Sequence, residues 1–255
     1  MKKLLKIIPY ALRERMKLIY YNFQQPNYEF GLKNQFYKTD GGSWSIYSTT
    51  PLYFLIKEIE RYEEFYKIRP NDNIIDAGAF NGILSLVYSE KAKYGNIFSF
   101  EPDRKNLKVI EENFNLNNFP NNINLINKGL WSETCKVNFF EDGSVASSSF
   151  YKAEHAVEVK IPVITIDDFI SEMNITDVSF IKMDVEGAEL NILKGARQTL
   201  LNLNPNLSIA TYHVVDGELT YKSVEKFFKE IDYPFKTVFF PDGEIITYAG
   251  PEMNK

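Results

Sequence analysis

The chain has 255 residues, 44% hydrophobic and 25% charged, enough for one substantial α/β domain with a small appendage. Its net charge of −5 argues against a broad nucleic-acid-binding face, which needs a basic surplus. One cysteine, Cys135, excludes an internal disulfide framework and fits a reducing, cytoplasmic compartment; with only two histidines beside it, an ordinary zinc site would need carboxylates.

The first 20 residues carry six Lys/Arg against one Glu, so the basic charge is concentrated there. Lys6, Pro9, Arg13 and Arg15 break any signal-peptide core, no small-residue cleavage site follows, and no apolar run nears the roughly 18 residues of a membrane span. The segment reads as an amphipathic helix with Leu5, Ile8, Leu12, Met16 and Ile19 along one face. That face is expected to pack on its own domain or on a second copy, giving a homo-oligomer, although a basic amphipathic helix also permits membrane contact. Residues 33–48 predict a hairpin turning at Asp40-Gly41-Gly42, and Pro51 opens a helical period over 51–68. Residues 1–50 are therefore read as an extension and 51–255 as the main domain.

From Asn73 the pattern alternates. Strand 73–79 leads to helix 81–92, strand 96–101 to helix 103–117, and strand 123–130 follows. Residues 136–166 read as two strands flanking the Ser-rich stretch SVASSSF. After helix 167–173 come strand 178–184, helix 187–201, strand 206–213 and helix 221–231. Two last strands, 235–240 and 244–249, join through Pro241-Asp242-Gly243, a tight hairpin signal. Alternation implies an α/β fold with a parallel sheet and right-handed crossovers, and the closing hairpin brings the final strand in antiparallel.

The first strand ends in IIDAGAFNG, where Asp76, Gly78 and Gly82 form D-x-G-x-x-x-G. Gly78 permits a sharp turn close to a ligand and Gly82 lets the helix pack near the sheet. The spacing fits neither the dinucleotide fingerprint nor the P-loop. An acid before the first glycine suits a ligand with a positive amine; a plain βα turn is the alternative. Glu101, about 20 residues on, can take both hydroxyls of a ribose or be a surface acid, and Asp103 suits a helix N-cap. Amine-seeking acid, glycine loop and ribose-seeking acid together suit S-adenosylmethionine.

The stretches IIDAGAFNG, FSFEPD, INKGLW and FIKMDVEGAELNILKGA, in this order between about Asn73 and His213, resemble the FkbM family of class I S-adenosylmethionine-dependent methyltransferases. The resemblance implies a Rossmann-like seven-stranded sheet of order 3-2-1-4-5-7-6, last strand antiparallel, with helices on both faces. It implies O-methylation of a sugar, glycan or natural-product hydroxyl. Cofactor contacts are then expected from Asp76, Gly78, Ala79, Phe80, Asn81 and Gly82, from Glu101 and Pro102, from Gly129, and from Asp184. The loop carries Phe80-Asn81 where many relatives have Asn at the first of these positions. The N-terminal segment and the Ser-rich stretch lie outside the resemblance.

In that sheet order the strand ending at Asp184 lies beside the glycine loop, and the strand ending at His213 reaches the same edge. Asp184, Glu186 and His213 are expected to converge on the methyl side of the cofactor. His213 is the natural base near neutral pH, with Asp184 or Glu186 orienting it or the acceptor hydroxyl. The acids could instead hold a divalent cation, though no metal is expected. Lys182 and Asp184, two apart on one strand, read as a same-face ion pair, and Glu189 as a complement to a helix N-terminus. Tyr212 and Tyr151 are candidates for the pocket wall, His155 for the surface, and the Ser-rich stretch for either a lid or a hairpin tip. Two competing functions remain. Nucleic-acid N-methylation usually carries Asn/Asp-Pro-Pro-aromatic where this chain has Asp184-Val185-Glu186-Gly187. A non-catalytic cofactor-binding module would keep Asp76, Gly78 and Glu101 but lack turnover.

Overall fold

The computed structural model describes residues 9–142 and 156–254. The Ser-rich stretch, Tyr151, His155, Leu5 and Ile8 lie outside the described residues.

Helix α1 (Tyr10–Gln24) buries Glu14 and Leu18, whereas Leu12, Met16, Ile19 and Phe23 are exposed. The expected apolar face therefore does not pack on the chain's own domain. The sheet turns the opposite stripe inward, where the Glu14 carboxylate accepts from the Tyr37 hydroxyl (3.0 Å) and from Lys17 (2.8 Å). The expected hairpin is a three-stranded antiparallel sheet, β1 (Glu29–Lys33), β2 (Phe36–Asp40) and β3 (Ser45–Ser48). Asn34 and Gln35, both at positive φ, make the extra β1–β2 turn, which sequence reading missed for want of a glycine. Helix α2 (Ile56–Tyr62) is shorter than the helix expected over 51–68. Beyond it the carboxylates of Glu63 and Asp72 accept the amides of Ile68 and Arg69, giving that backbone an alternative to the helix.

The main sheet uses β4 (Ile74–Ala77), β5 (Ile97–Phe100), β6 (Ile123–Ile126), β10 (Phe180–Met183), β11 (Asn206–Ala210), β14 (Phe235–Phe239) and β15 (Ile245–Ala249). Its order is β6-β5-β4-β10-β11-β15-β14, with β15 antiparallel to both neighbours. That is the expected seven-stranded arrangement. Consecutive β4 residues face opposite ways, and Ile74 and Ile75 enter separate cores. One core takes α2, α3 (Ile83–Lys91), α4 (Arg104–Leu116) and residues of α1, β1 and β3. The other takes α5 (Ile166–Glu172), α6 (Glu189–Lys194), α7 (Arg197–Leu203) and α8 (Tyr221–Glu230). Burial on both faces explains why these strands read as nearly continuous apolar runs.

Three further expectations change. The strand expected over 123–130 divides into β6 and β7 (Gly129–Leu130), the latter joining a separate sheet with β9 (Val157–Ile164) and β8 (Cys135–Glu141). The helix expected over 187–201 divides into α6 and α7 at Gly195, whose carbonyl accepts from Asp167 and where a Cβ would run into the Trp131 carbonyl. A short ribbon, β12 (Val214–Val215) with β13 (Glu218–Leu219), follows His213 and was not foreseen.

Candidate active site

Strands β4 and β10 are parallel neighbours whose following helices cover opposite faces, so a crevice opens beyond their carboxyl ends. The glycine loop leaves β4 with Gly78 at φ 78°, and a Cβ there would collide with the Asp184 carbonyl. Gly82, at φ 74°, caps α3 against Phe114 and Ile110. It serves helix packing and does not line the crevice.

The β4–β10 register sets Lys182 opposite Asp76. The ammonium lies 3.3 Å from Asp76 Oδ1 and donates to the Gly78 carbonyl at 2.8 Å. The expected Lys182–Asp184 pair gives way because residues two apart on a strand are about 6.5 Å apart, against about 4.8 Å between strands. Burial works against the charge on Lys182, but Asp76, Asp184 and Glu58 outweigh it and raise its pKa. Asp76 is fully buried, and its other oxygen takes the Ser85 hydroxyl at 2.6 Å. It does not line the cavity, and the contacts it makes are those of a scaffold under the loop.

The cavity measures about 250 Å³. It is lined by Gly78, Ala79, Phe80 and Asn81, by Glu101, Pro102 and Gly129, and by Asp184, Glu186 and Tyr212. Glu101 ties the wall together. Its carboxylate accepts the amides of Phe80 and Asp103, both at 2.9 Å, and Asn106 at 3.3 Å. Phe80 holds φ 51°, a strained value for a side-chain-bearing residue, and its amide bond to Glu101 helps fix it. Asp103 caps α4 through Lys105 N–H (2.7 Å), as its position suggested.

Burial pushes the Glu101 carboxyl up to about 7 despite these donors. Below the ordinary 4.5 both folded and unfolded chains are protonated; between 4.5 and 7 only the unfolded chain releases its proton, so stability falls as pH rises. Denaturant melts of the ligand-free protein should show a loss across that window that is smaller in Glu101→Gln by on the order of 3 kcal/mol. Equal pH slopes in the two proteins would contradict this environment for Glu101.

His213, past β11, stands among three carboxylates and does not itself line the cavity. Its Nδ1 is 2.8 Å from Glu189 Oε1, and its Nε2 is 3.5 Å from both Asp184 Oδ1 and Glu186 Oε1. The three expected residues are thus brought together. Glu189, fully buried, does more than complement a helix end: it accepts Gly187 N–H (3.1 Å) and orients the imidazole. The Tyr62 hydroxyl donates to Asp184 Oδ2 at 3.1 Å. Glu186 sits at φ 51°, in the turn that carries its carboxylate toward the ring. Burial disfavours charge on His213, but Glu186 and Glu189, with Asp184, push its pKa up to about 10. At neutral pH the ring of the ligand-free protein is doubly protonated.

Besides Glu101, a second acid brought near neutrality is Glu58 on α2. Burial first, then the charge of Asp184, opposed by Lys182, pushes it up to about 7, and it lines the same cavity. Sequence reading missed Glu58 because α2 precedes the recognisable motifs. A signal existed, since Leu55, Glu58 and Tyr62 share one helical stripe, and an acid on an apolar stripe needs a reason.

A doubly wound sheet of this order, opening a glycine-loop crevice at its switch point, is the class I methyltransferase fold. The chain belongs to the FkbM methyltransferase family: residues 76–235 match the Methyltransferase FkbM domain. Hexuronic acid methyltransferase AglP of Haloferax volcanii is 28% identical over 134 residues, 52% of this chain and 54% of that protein. Methyltransferase 1 of Beauveria bassiana is 27% identical, over 49% of this chain and 59% of its own. The chain thus spans little more than half the length of these relatives. Among solved structures, methyltransferase FkbM from Methylobacillus flagellatus superposes with a TM-score of 0.52 at 24% identity, covering 72% of this chain and 44% of that one. That likeness speaks for the fold.

Proposed function

We infer that this chain is an S-adenosylmethionine-dependent O-methyltransferase acting on a sugar or related small-molecule hydroxyl. The observation that carries the reading is one cavity lined both by the glycine loop with Glu101 and by Asp184 and Glu186, the two acids that His213 stands behind. The glycine-loop wall fits the cofactor: Gly78 leaves no room for a side chain, and the Glu101 carboxylate, already fixed by three donors, keeps acceptor lone pairs for a diol. Gly78, Ala79, Phe80, Asn81, Glu101, Pro102 and Gly129 would hold it, with Asp184 nearest its amino-acid end. Bound there, the cofactor supplies a sulfonium methyl; transfer breaks the O–H and S–CH3 bonds, forms O–CH3, and leaves a thioether and one proton.

The chain's own residues then have two tasks. The His213 cluster positions the hydroxyl, since much of such a displacement is won by holding reacting groups at about 3–3.5 Å. Glu58 takes the proton, because a base works best with a pKa near the working pH. His213, held as an imidazolium by the carboxylates around it, does not abstract the acceptor's proton. The AglP relative, named for hexuronic acid, supports a sugar acceptor. The Asp184-Val185-Glu186-Gly187 turn, which has no Pro-Pro-aromatic step, supports it over a nucleobase amine.

S-adenosylmethionine and its demethylated product should each raise the melting temperature, because a ligand of the native state stabilises it by mass action. NAD should not, and Glu101→Ala should shrink the shift. Transfer of labelled methyl to a panel of hexuronic acids and their glycosides then tests the acceptor class. A larger shift with NAD, or cofactor binding with no transfer to any hydroxyl acceptor, would overturn the reading.

A further inference from the structure

We propose that Asp184, Glu186 and His213 form a binding site for one divalent first-row transition ion, of the Mn²⁺ or Zn²⁺ kind, at the cavity wall that Asp184 and Glu186 line. One ligand atom from each residue lies within 4.8 Å of the others. His213 Nε2 is 3.5 Å from each carboxylate oxygen. Ligands on a cation with bonds of about 2.1 Å lie roughly 3.0–3.5 Å apart, so the cluster closes around an ion with little movement.

A cluster of acids alone would not carry the proposal. The independent observation is the imidazole: His213 is only 8% exposed, and its Nε2 is buried without a hydrogen bond while aimed into the cluster. Asp184 Oδ1 is likewise buried and without one. Both side chains are anchored through their other atom. Glu189 holds His213 Nδ1, and the Tyr62 hydroxyl holds Asp184 Oδ2. A carboxylate behind a histidine and a donor behind a carboxylate are the outer partners that orient metal ligands.

Charge points the same way. Asp184, Glu186 and Glu189 surround one ring, leaving at least two negative charges when the acids are ionised. Lys182, the nearby cation, is committed to Asp76 and the Gly78 carbonyl. A mixed nitrogen and carboxylate set favours Mn²⁺ or Zn²⁺ over Ca²⁺, which prefers oxygen alone. Three protein ligands leave positions open toward the cavity, where an acceptor hydroxyl would coordinate and lose its proton more readily. That chemical role rests on the methyltransferase reading; the site does not.

The test uses the full chain, stripped with chelator and without cofactor. Mn²⁺ is titrated while its free paramagnetic-resonance signal is followed, and Zn²⁺ by calorimetry. One saturable equivalent is expected, with Asp184→Asn and His213→Gln each weakening it at least 10-fold and Glu189→Gln about 10-fold. Asp184→Asn, nearly isosteric and at a partly exposed position, keeps the test available should His213→Gln fail to fold. The absence of a saturable equivalent of either ion, or unchanged affinity in a folded Asp184→Asn protein, overturns the site. Cofactor thermal shifts on the same samples separate the two ideas. A shift without metal binding sinks the cation site alone, and metal binding without a shift leaves the site standing while removing its catalytic role.

Discussion

Lys182→Met is expected to be among the most damaging single substitutions in the chain, lowering stability by about 3–5 kcal/mol. Lys182, on β10, is buried and faces Asp76 on β4, which has no access to solvent. Replacing the ammonium with a thioether leaves the Asp76 charge buried with only the Ser85 hydroxyl to satisfy it. It also removes the donor to the Gly78 carbonyl, so the glycine loop should loosen and cofactor affinity fall with stability. A double variant, Asp76→Asn with Lys182→Met, separates the charge effect from lost packing, because the asparagine is neutral. Equilibrium unfolding should show the double variant less destabilised than Lys182→Met alone. A single variant within about 1 kcal/mol of wild type would show the pair to be dispensable.

The same pair shows how far the sequence could be read. Alternating strands and helices, with the closing hairpin at Pro241-Asp242-Gly243, were enough to expect a parallel sheet ending in an antiparallel strand, and the family resemblance supplied the order found. A charge inside "FIKMD" was visibly in need of a partner, but along one strand only Asp184 could be proposed. Asp76 becomes the neighbour through register, which depends on how two strands 100 residues apart align. The convergence of Asp184, Glu186 and His213 followed from sheet order, whereas Glu189 and Tyr62, which orient them, arrive from helix geometry. Breaks such as Gly195 were illegible for a related reason: a glycine tolerated by the helical period marks a close backbone approach only once Trp131 is in place. The exposed stripe on α1 reverses the usual inference, because there the polar Glu14 is inside and Leu12 and Met16 are outside.

Glu58→Gln should lower turnover by about 10²-fold or more, the usual weight of a positioned base, while leaving cofactor affinity nearly unchanged. The substitution keeps shape and removes only the ability to take a proton. The pH profile distinguishes it from the reading in which His213 is the base. A base must be deprotonated to act, so with Glu58 in that role kcat should rise with pH and level off above about 7, where burial and Asp184 have placed its pKa. Were His213 the base, the three carboxylates around it would carry the rising limb on toward about 10. In Glu58→Gln the limb near 7 should vanish along with most of the rate, whereas a residue that merely holds the acceptor would raise KM and keep the limb. A folded, cofactor-saturated Glu58→Gln protein that retains wild-type kcat and its rising limb would remove Glu58 from the chemistry and return the proton to the His213 cluster.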